Sequence, residues 1–225
     1  MAFQQIIPWF WFDNQAEEAA RFYTGIFKNS KVTQISHYGE AGQEVHGQKP
    51  GSVMVVAFEL DGQSFTALNG GPVFKFNEAI SFQVQCDTQD EIDFYWGKLS
   101  AGGDPKAQQC GWLKDKYGAS WQIVPRTMGE MMTASDPAKS NRVMTAMLLM
   151  KKIDLAALKQ AFDGLHGASV QPSIYATQGD AMDASLLRDK RVRALKVAKQ
   201  PSIRKANPTY QGGSSDGYGI KVPKA

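Results

Sequence analysis

The sequence predicts an α+β domain made of two similar halves, and three observations carry that prediction. IPWFWFDNQAEEAARFYTGIF from Ile7 and ISFQVQCDTQDEIDFYWGKLS from Ile80 align at a constant offset of 73, each as an apolar strand, a polar turn and an amphipathic helix. Within that offset Glu18 falls on Glu91, and Phe22-Tyr23 on Tyr95-Trp96. Asp61-Gly62 stands between two apolar runs, which is a strong hairpin signal. With 225 residues, 43% of them hydrophobic, the chain can bury one substantial core and still leave an extension.

The elements follow in order. Asp13 or Asn14 is expected to cap the first helix, with Ala16, Ala19, Ala20, Tyr23 and Phe27 as its buried face. Strands are expected over Lys31 to Tyr38, Ser52 to Leu60 and Ser64 to Asn69. In the second half Asp87 or Thr88 caps a helix whose apolar face is Ile92, Tyr95, Trp96 and Leu99. A Gly102-Gly103 turn, an ambiguous stretch from Lys106 to Leu113 and a strand over Ser120 to Val124 complete it. Each half thus reads as βαβββ. Asp136-Pro137 opens a closing helix, and Asp154 caps another that runs through Phe162. Six methionines between Met128 and Met150 read as core filling.

Composition excludes several classes. No run of about 18 apolar residues exists, so no membrane span is expected. The start MAFQQIIPWFWF lacks the pattern of a secretory signal, and a cytoplasmic location follows as the expectation. Cys86 and Cys110 form no CxxC pair and are read as free thiols. The charge of +3 divides unevenly: residues 1–163 carry 15 basic and 18 acidic side chains, and residues 164–225 the other 10 and 4. We therefore expect a domain over 1–163, with modules at about 3–72 and 78–125 and a helical close at 136–163. Residues 164–225 read as a basic, largely disordered extension. Without a reader motif or interleaved aromatics it does not suggest nucleic-acid binding.

PWFWFDNQAEEAARFY, FELDGQSFTALNGGP, FKFNEAISF, CGWLKDKYGASWQIVP and NRVMTAMLLMKKID resemble, in that order, the PhnB-like group of the vicinal oxygen chelate superfamily, which also holds glyoxalases, bleomycin-resistance proteins and ring-cleaving dioxygenases. Members of the group are often labelled 3-demethylubiquinone-9 3-methyltransferase. The resemblance implies paired βαβββ modules and a homodimer, which free strand edges also favour. In the superfamily's metalloenzymes a histidine on a half's first strand and a glutamate or histidine on its last commonly hold a divalent metal. The matching positions here, Pro8 and Ser81 with Thr66 and Gln122, offer no imidazole or carboxylate. No metal and no cofactor is therefore expected.

What remains is a metal-independent pocket for an unknown small molecule, for binding or an unidentified reaction. Gln122, Ser81, Thr66 and Asn69 are its polar candidates, and Trp9, Trp121 and Phe82 its apolar walls. Three other readings stay open. His37 and His46, with Glu40 and Glu44 between them, would serve a metal-dependent lyase or dioxygenase with relocated ligands. The methyltransferase label would require a glycine-rich turn after a first strand, and neither Gly70-Gly71 nor Gly102-Gly103 stands there. The basic tail would carry a non-catalytic partner-binding or nucleic-acid role. Cys110 is read as packing rather than as a nucleophile.

Overall fold

A computed structural model describes residues 5–165. The expectations for residues 166–225 lie outside the described residues. The first half runs β1 (Trp9–Phe12), α1 (Ala16–Thr24), β2 (Lys31–His37), a short helix α2 (Gln43–His46), β3 (Val53–Leu60) and β4 (Gln63–Asn69). The second runs β5 (Phe82–Cys86), α3 (Gln89–Ser100), a 3-10 turn at Pro105–Ala107, β6 (Trp112–Lys114) and β7 (Ser120–Pro125). Three helices close the domain: α4 (Met128–Met132), α5 (Pro137–Leu148) and α6 (Leu155–Asp163).

The first half makes a four-stranded sheet in the order β1-β4-β3-β2, and the second a three-stranded sheet in the order β5-β7-β6. In both, the first strand lies parallel to the last, β1 on β4 and β5 on β7. Asp61 and Gly62 both take positive φ, 47° and 79°, the geometry that matches the twist of a two-residue hairpin. The α+β class and the twofold internal plan hold, with the second half one strand short of βαβββ. In that half the ambiguous stretch begins in a 3-10 turn, where Asp104 accepts a hydrogen bond from the Lys106 amide at 2.9 Å and Pro105 stands at the turn's start, and it ends in β6.

Capping separates the two halves. Thr88 caps α3 through the Glu91 amide, and the Glu91 carboxylate accepts from the Asp87 amide at 2.7 Å, a reciprocal pair that satisfies two orphan donors. For α1 the expected caps Asp13 and Asn14 do not serve, since the residue before the helix is Gln15 and its side chain makes no cap bond. Asn69 at the end of β4 supplies the acceptor instead, Oδ1 taking the Ala16 amide at 2.8 Å. Asp136 and Asp154 cap α5 and α6 as their positions suggest.

The core lies where the two sheets and two helices meet. Phe10 of β1 packs at 5.0 Å from Phe82 of β5, and Phe65 of β4 at 5.6 Å from the same ring. Tyr23 of α1 sits between the halves, 6.3 Å from Phe58 and 5.5 Å from Trp121. Met131 is buried, and Met128, Met132, Met147 and Met150 pack against the core. Gln89 of α3 fastens the closing helices, donating to the Ile153 carbonyl at 3.1 Å and accepting from the Leu155 amide at 2.8 Å.

Asp115 is the polar joint of this core. It is 2% exposed and accepts four hydrogen bonds: Tyr23 Oη at 2.7 Å, Trp121 Nε1 at 2.8 Å, and the Tyr117 and Ala119 amides at 2.9 and 3.1 Å. Four donors and no acceptor match an ionised carboxylate. Burial raises its pKa and the four hydrogen bonds work against that rise. Burial, with the Asp115 charge beside it, pushes the Tyr23 phenol well above its ordinary value. Asp115→Ala, which strands two side-chain and two amide donors, is expected to cost about 3 kcal/mol or more in urea unfolding, and Tyr23→Phe about 1–3 kcal/mol. The unfolded phenol ionises near 10.0 while the folded one keeps its proton, so stability falls as pH rises through that value. Tyr23→Phe is expected to make this alkaline slope shallower.

Candidate functional site

Sheet register defines the outer faces, those turned away from the core. On the first sheet Trp9, Thr66, Ala57 and Gln34 form one cross-strand row, and Trp11, Leu68, Val55 and Ser36 the next. Trp9 is 61% exposed there. On the second sheet Gln83 lies opposite Gln122, with Trp112 beyond it. Gln122 Nε2 donates to Ser81 Oγ at 2.8 Å. Ser81, Gln83, Gln85 and Gln122 therefore share one neutral, polar face. Ser120, two residues before Gln122 on the same strand, is buried with a hydroxyl that has no partner among the described residues.

The register also corrects the alignment of the halves. An offset of 73 holds for the helices, but the strands are related by 74: Trp9 lies opposite Thr66 as Gln83 lies opposite Gln122. The turn from β1 to α1 is one residue longer than the turn from β5 to α3. The equivalents on the first strands are thus Trp9 and Gln83, not Pro8 and Ser81. Gln83 was missed for that reason, and the signal that would have found it is the threonine cap, which starts α3 one residue sooner. Trp9, Thr66, Gln83 and Gln122 still offer no imidazole or carboxylate, so this donor set does not fit a divalent metal.

The remaining candidates divide between the outer face and the core. Trp121 is 2% exposed with its indole nitrogen held by Asp115, and Phe82 packs among Phe10, Phe65 and Trp121. Both belong to the core side of their strands rather than to the Gln122 face. Asn69 is 6% exposed, and both ends of its amide are engaged by the main chain, Oδ1 by Ala16 and Nδ2 by the Val53 carbonyl at 3.0 Å. It positions α1 and has no free polar atom turned to a ligand. The His46 ring lies 4.6 Å from Tyr38 at a tilt of 36°, and its Nδ1 accepts from the Gln48 amide at 3.0 Å. His37 and His46 do not gather with acids, and no group of three or more His, Cys, Asp or Glu among the described residues is placed to hold a metal ion. Burial raises the pKa of the Cys110 thiol, the opposite of what a nucleophile needs. No described helix is long and apolar enough to cross a membrane.

Two clefts flank the joint between the halves. One, of about 480 Å³, lies between the end of β1 at Trp11 and Phe12, with Asp13 just beyond it, and the β6–β7 hairpin at Lys114, Tyr117 and Gly118. The other, of about 490 Å³, lies between Phe82 to Gln85 of β5 and the β3–β4 turn at Asp61. They are pseudo-equivalent, since each is bounded by one half's first strand and the other half's hairpin. Neither is lined by Gln122 or Ser81.

The family model described as 3-demethylubiquinone-9 3-methyltransferase matches residues 4–124, more than half of the chain. The chain belongs to this family. Among solved structures, a PhnB protein from Bacillus cereus carrying the same methyltransferase description is 37% identical, spanning 54% of this chain and 99% of its own, with a TM-score of 0.46. A Staphylococcus aureus protein is 27% identical over 56% of this chain and 100% of its own, with a TM-score of 0.24. The fosfomycin resistance protein FosX from Listeria monocytogenes, complexed with Mn(II) and sulfate, is 16% identical over 60% of this chain and 100% of its own, with a TM-score of 0.40. No curated protein matches.

One family motif, LNGGP, has a structural reading. A Cβ on Gly70 would lie 2.2 Å from the Trp11 ring, and Trp11 Nε1 donates to the Gly71 carbonyl at 2.8 Å. Gly70→Ala must therefore move the indole, with an expected loss of about 1–3 kcal/mol and a red shift in tryptophan emission. Asn69→Ala is expected to cost about 1–2 kcal/mol through the lost α1 cap, measurable by urea unfolding.

Proposed function

We propose that the chain binds a small organic molecule on the outer faces of its strand pairs, without a metal, for retention or for a reaction on a carbonyl or hydroxyl. The observation that carries this reading is the Gln122–Ser81 hydrogen bond at 2.8 Å, with Gln83 opposite Gln122. Donors and acceptors without charge orient a neutral polar group, and Trp9 offers an aromatic wall, whereas Thr66 is 7% exposed and presents little of its hydroxyl. Gln122 and Gln83 would polarise such a group rather than exchange protons with it, since an amide does not titrate.

Methyl transfer, the chemistry in the family's description, draws no support from these residues. β1 runs into Asp13-Asn14-Gln15 and β5 into Asp87-Thr88, and neither turn has the glycines that let a backbone approach a bound adenosyl group.

The outer face of the first sheet leaves Trp9 exposed beside half-buried Val55, Ala57 and Leu68. An apolar sheet face of this kind favours pairing with a second copy, which would close the pocket. Native mass spectrometry of the full-length protein, repeated under denaturing conditions, is expected to give a dimer that releases an organic molecule. Gln122→Leu is expected to lose that molecule and keep the dimer. A stoichiometric divalent metal, lost on the same substitution, would overturn the proposal. The domain boundary near residue 163 has its own test: removing residues 165–225 is expected to leave dimer and ligand unchanged, and loss of either would assign the extension a part in the site.

A further inference from the structure

We propose that the cleft at the end of β1 is a second small-molecule site, for a flat aromatic carboxylate, and that the segment joining the two halves straps it closed with Glu78 standing in for the ligand's carboxylate. The cleft is about 480 Å³, within the range of small-molecule pockets. Its lining holds none of Ser81, Gln83, Gln85 and Gln122, so it stands independently of the function proposed above.

Aromatic groups form its walls. Trp11 meets Phe74 edge to face at 4.9 Å and 81°, while Phe76 of the same segment packs against Phe12 at 5.3 Å and Tyr117 lies opposite. Phe74 is nevertheless 62% exposed. A side chain held by one aromatic edge, with most of its surface in water, gives way readily to a ring that contacts both walls.

The charges complete the pattern. Lys114 pairs with Glu78, and the two differ sharply in exposure, 23% for the lysine side chain and 63% for the glutamate. The cation is built into the cleft wall through β6, whereas its partner belongs to the joining segment. Lys75 lines the same cleft and makes no ion pair among the described residues. Against these two lysines the lining holds one carboxylate, Asp13. Once Glu78 leaves, the cleft carries an excess positive charge beside an aromatic wall, and the ligand that matches both is a planar ring with one carboxylate. The pseudo-equivalent cleft lacks such a strap: among its lining residues Arg126 is paired with Asp87, and the joining segment does not reach it.

The test is a calorimetric titration of the full-length protein with 2-naphthoate, set against neutral 2-naphthamide and the non-aromatic octanoate. The naphthoate is expected to bind and both comparators to bind at least tenfold more weakly. Lys114→Gln is expected to abolish the preference for naphthoate over naphthamide. Glu78→Gln, a change at an exposed side chain, is expected to tighten naphthoate about threefold to fivefold, as release of a surface ion pair allows. Gln122→Leu is expected to leave naphthoate binding unchanged. Equal affinity for acid and amide, or no tightening with Glu78→Gln, would overturn the proposal. So would binding that survives Lys114→Gln and is lost with Gln122→Leu, which would move the probe to the other site.

Discussion

The buried carboxylate of Asp115 is the constraint on which the arrangement of the two halves rests. The aromatic contacts between them, Phe10 with Phe82 and Tyr23 with Trp121, are strong but weakly directional, and rings of similar size tolerate small slips. The Asp115 network does not. Its four donors come from α1, β7 and the turn between β6 and β7, so a shift of any one of these elements leaves a donor unpaired in an apolar setting. Glu18 repeats the attachment at the surface, accepting from Lys116 Nζ at 2.9 Å and Tyr117 Oη at 2.7 Å. Helix α1 of one half is thereby held on the hairpin of the other.

An internal repeat held together in this way need not stay symmetric. The first half keeps a four-stranded sheet, while the second gives up a strand to a 3-10 turn. The turns into the helices differ by one residue, and the helices are capped by different means, one by its own Thr88 and the other by Asn69 from a distant strand. The segment between the halves crosses one cleft and misses the other. Duplicated geometry therefore gives two unlike clefts, which is the condition for their binding different molecules.

Much of this was legible in the sequence because it is local. The Asp61-Gly62 hairpin, the Asp136-Pro137 helix start and the Thr88 cap each rest on residues within a few positions of one another, and the helix faces follow from spacing alone. Asp115 could not be read in the same way. Its Tyr23 partner stands 92 positions away, and nothing local says which donors will reach it. Asn69 shows the same limit: LNGGP reads as a turn, whereas the amide reaches back 53 positions to hold a helix. Of the proposed pocket residues, Gln122 and Ser81 meet through one hydrogen bond, while Gln83 is hidden from a reading by constant offset by a one-residue difference in turn length. In strands a one-residue error moves a residue to the other face. Phe82 and Trp121 were assigned to the pocket for lack of that parity.

Alternation along CGWLKDKYGASWQIVP shows why the glutamine at its centre can change role without disturbing the fold. Leu113, Asp115, Trp121 and Ile123 are 2% exposed or less and belong to the joint and core. On the other side Trp112, Lys114 and Gln122 are half-buried, while Ser120 and Val124 are buried. Parity thus separates the row that makes the joint from a row that is only partly accessible. A substitution at Gln122 alters the chemistry of that side and leaves the row of Leu113, Asp115, Trp121 and Ile123 untouched. Lys114 sits on the same side, two residues from the hairpin, where it can serve a different cleft. A scaffold whose stability is carried by one parity of each strand can vary its ligands through the other, and this chain shows the separation within a single motif.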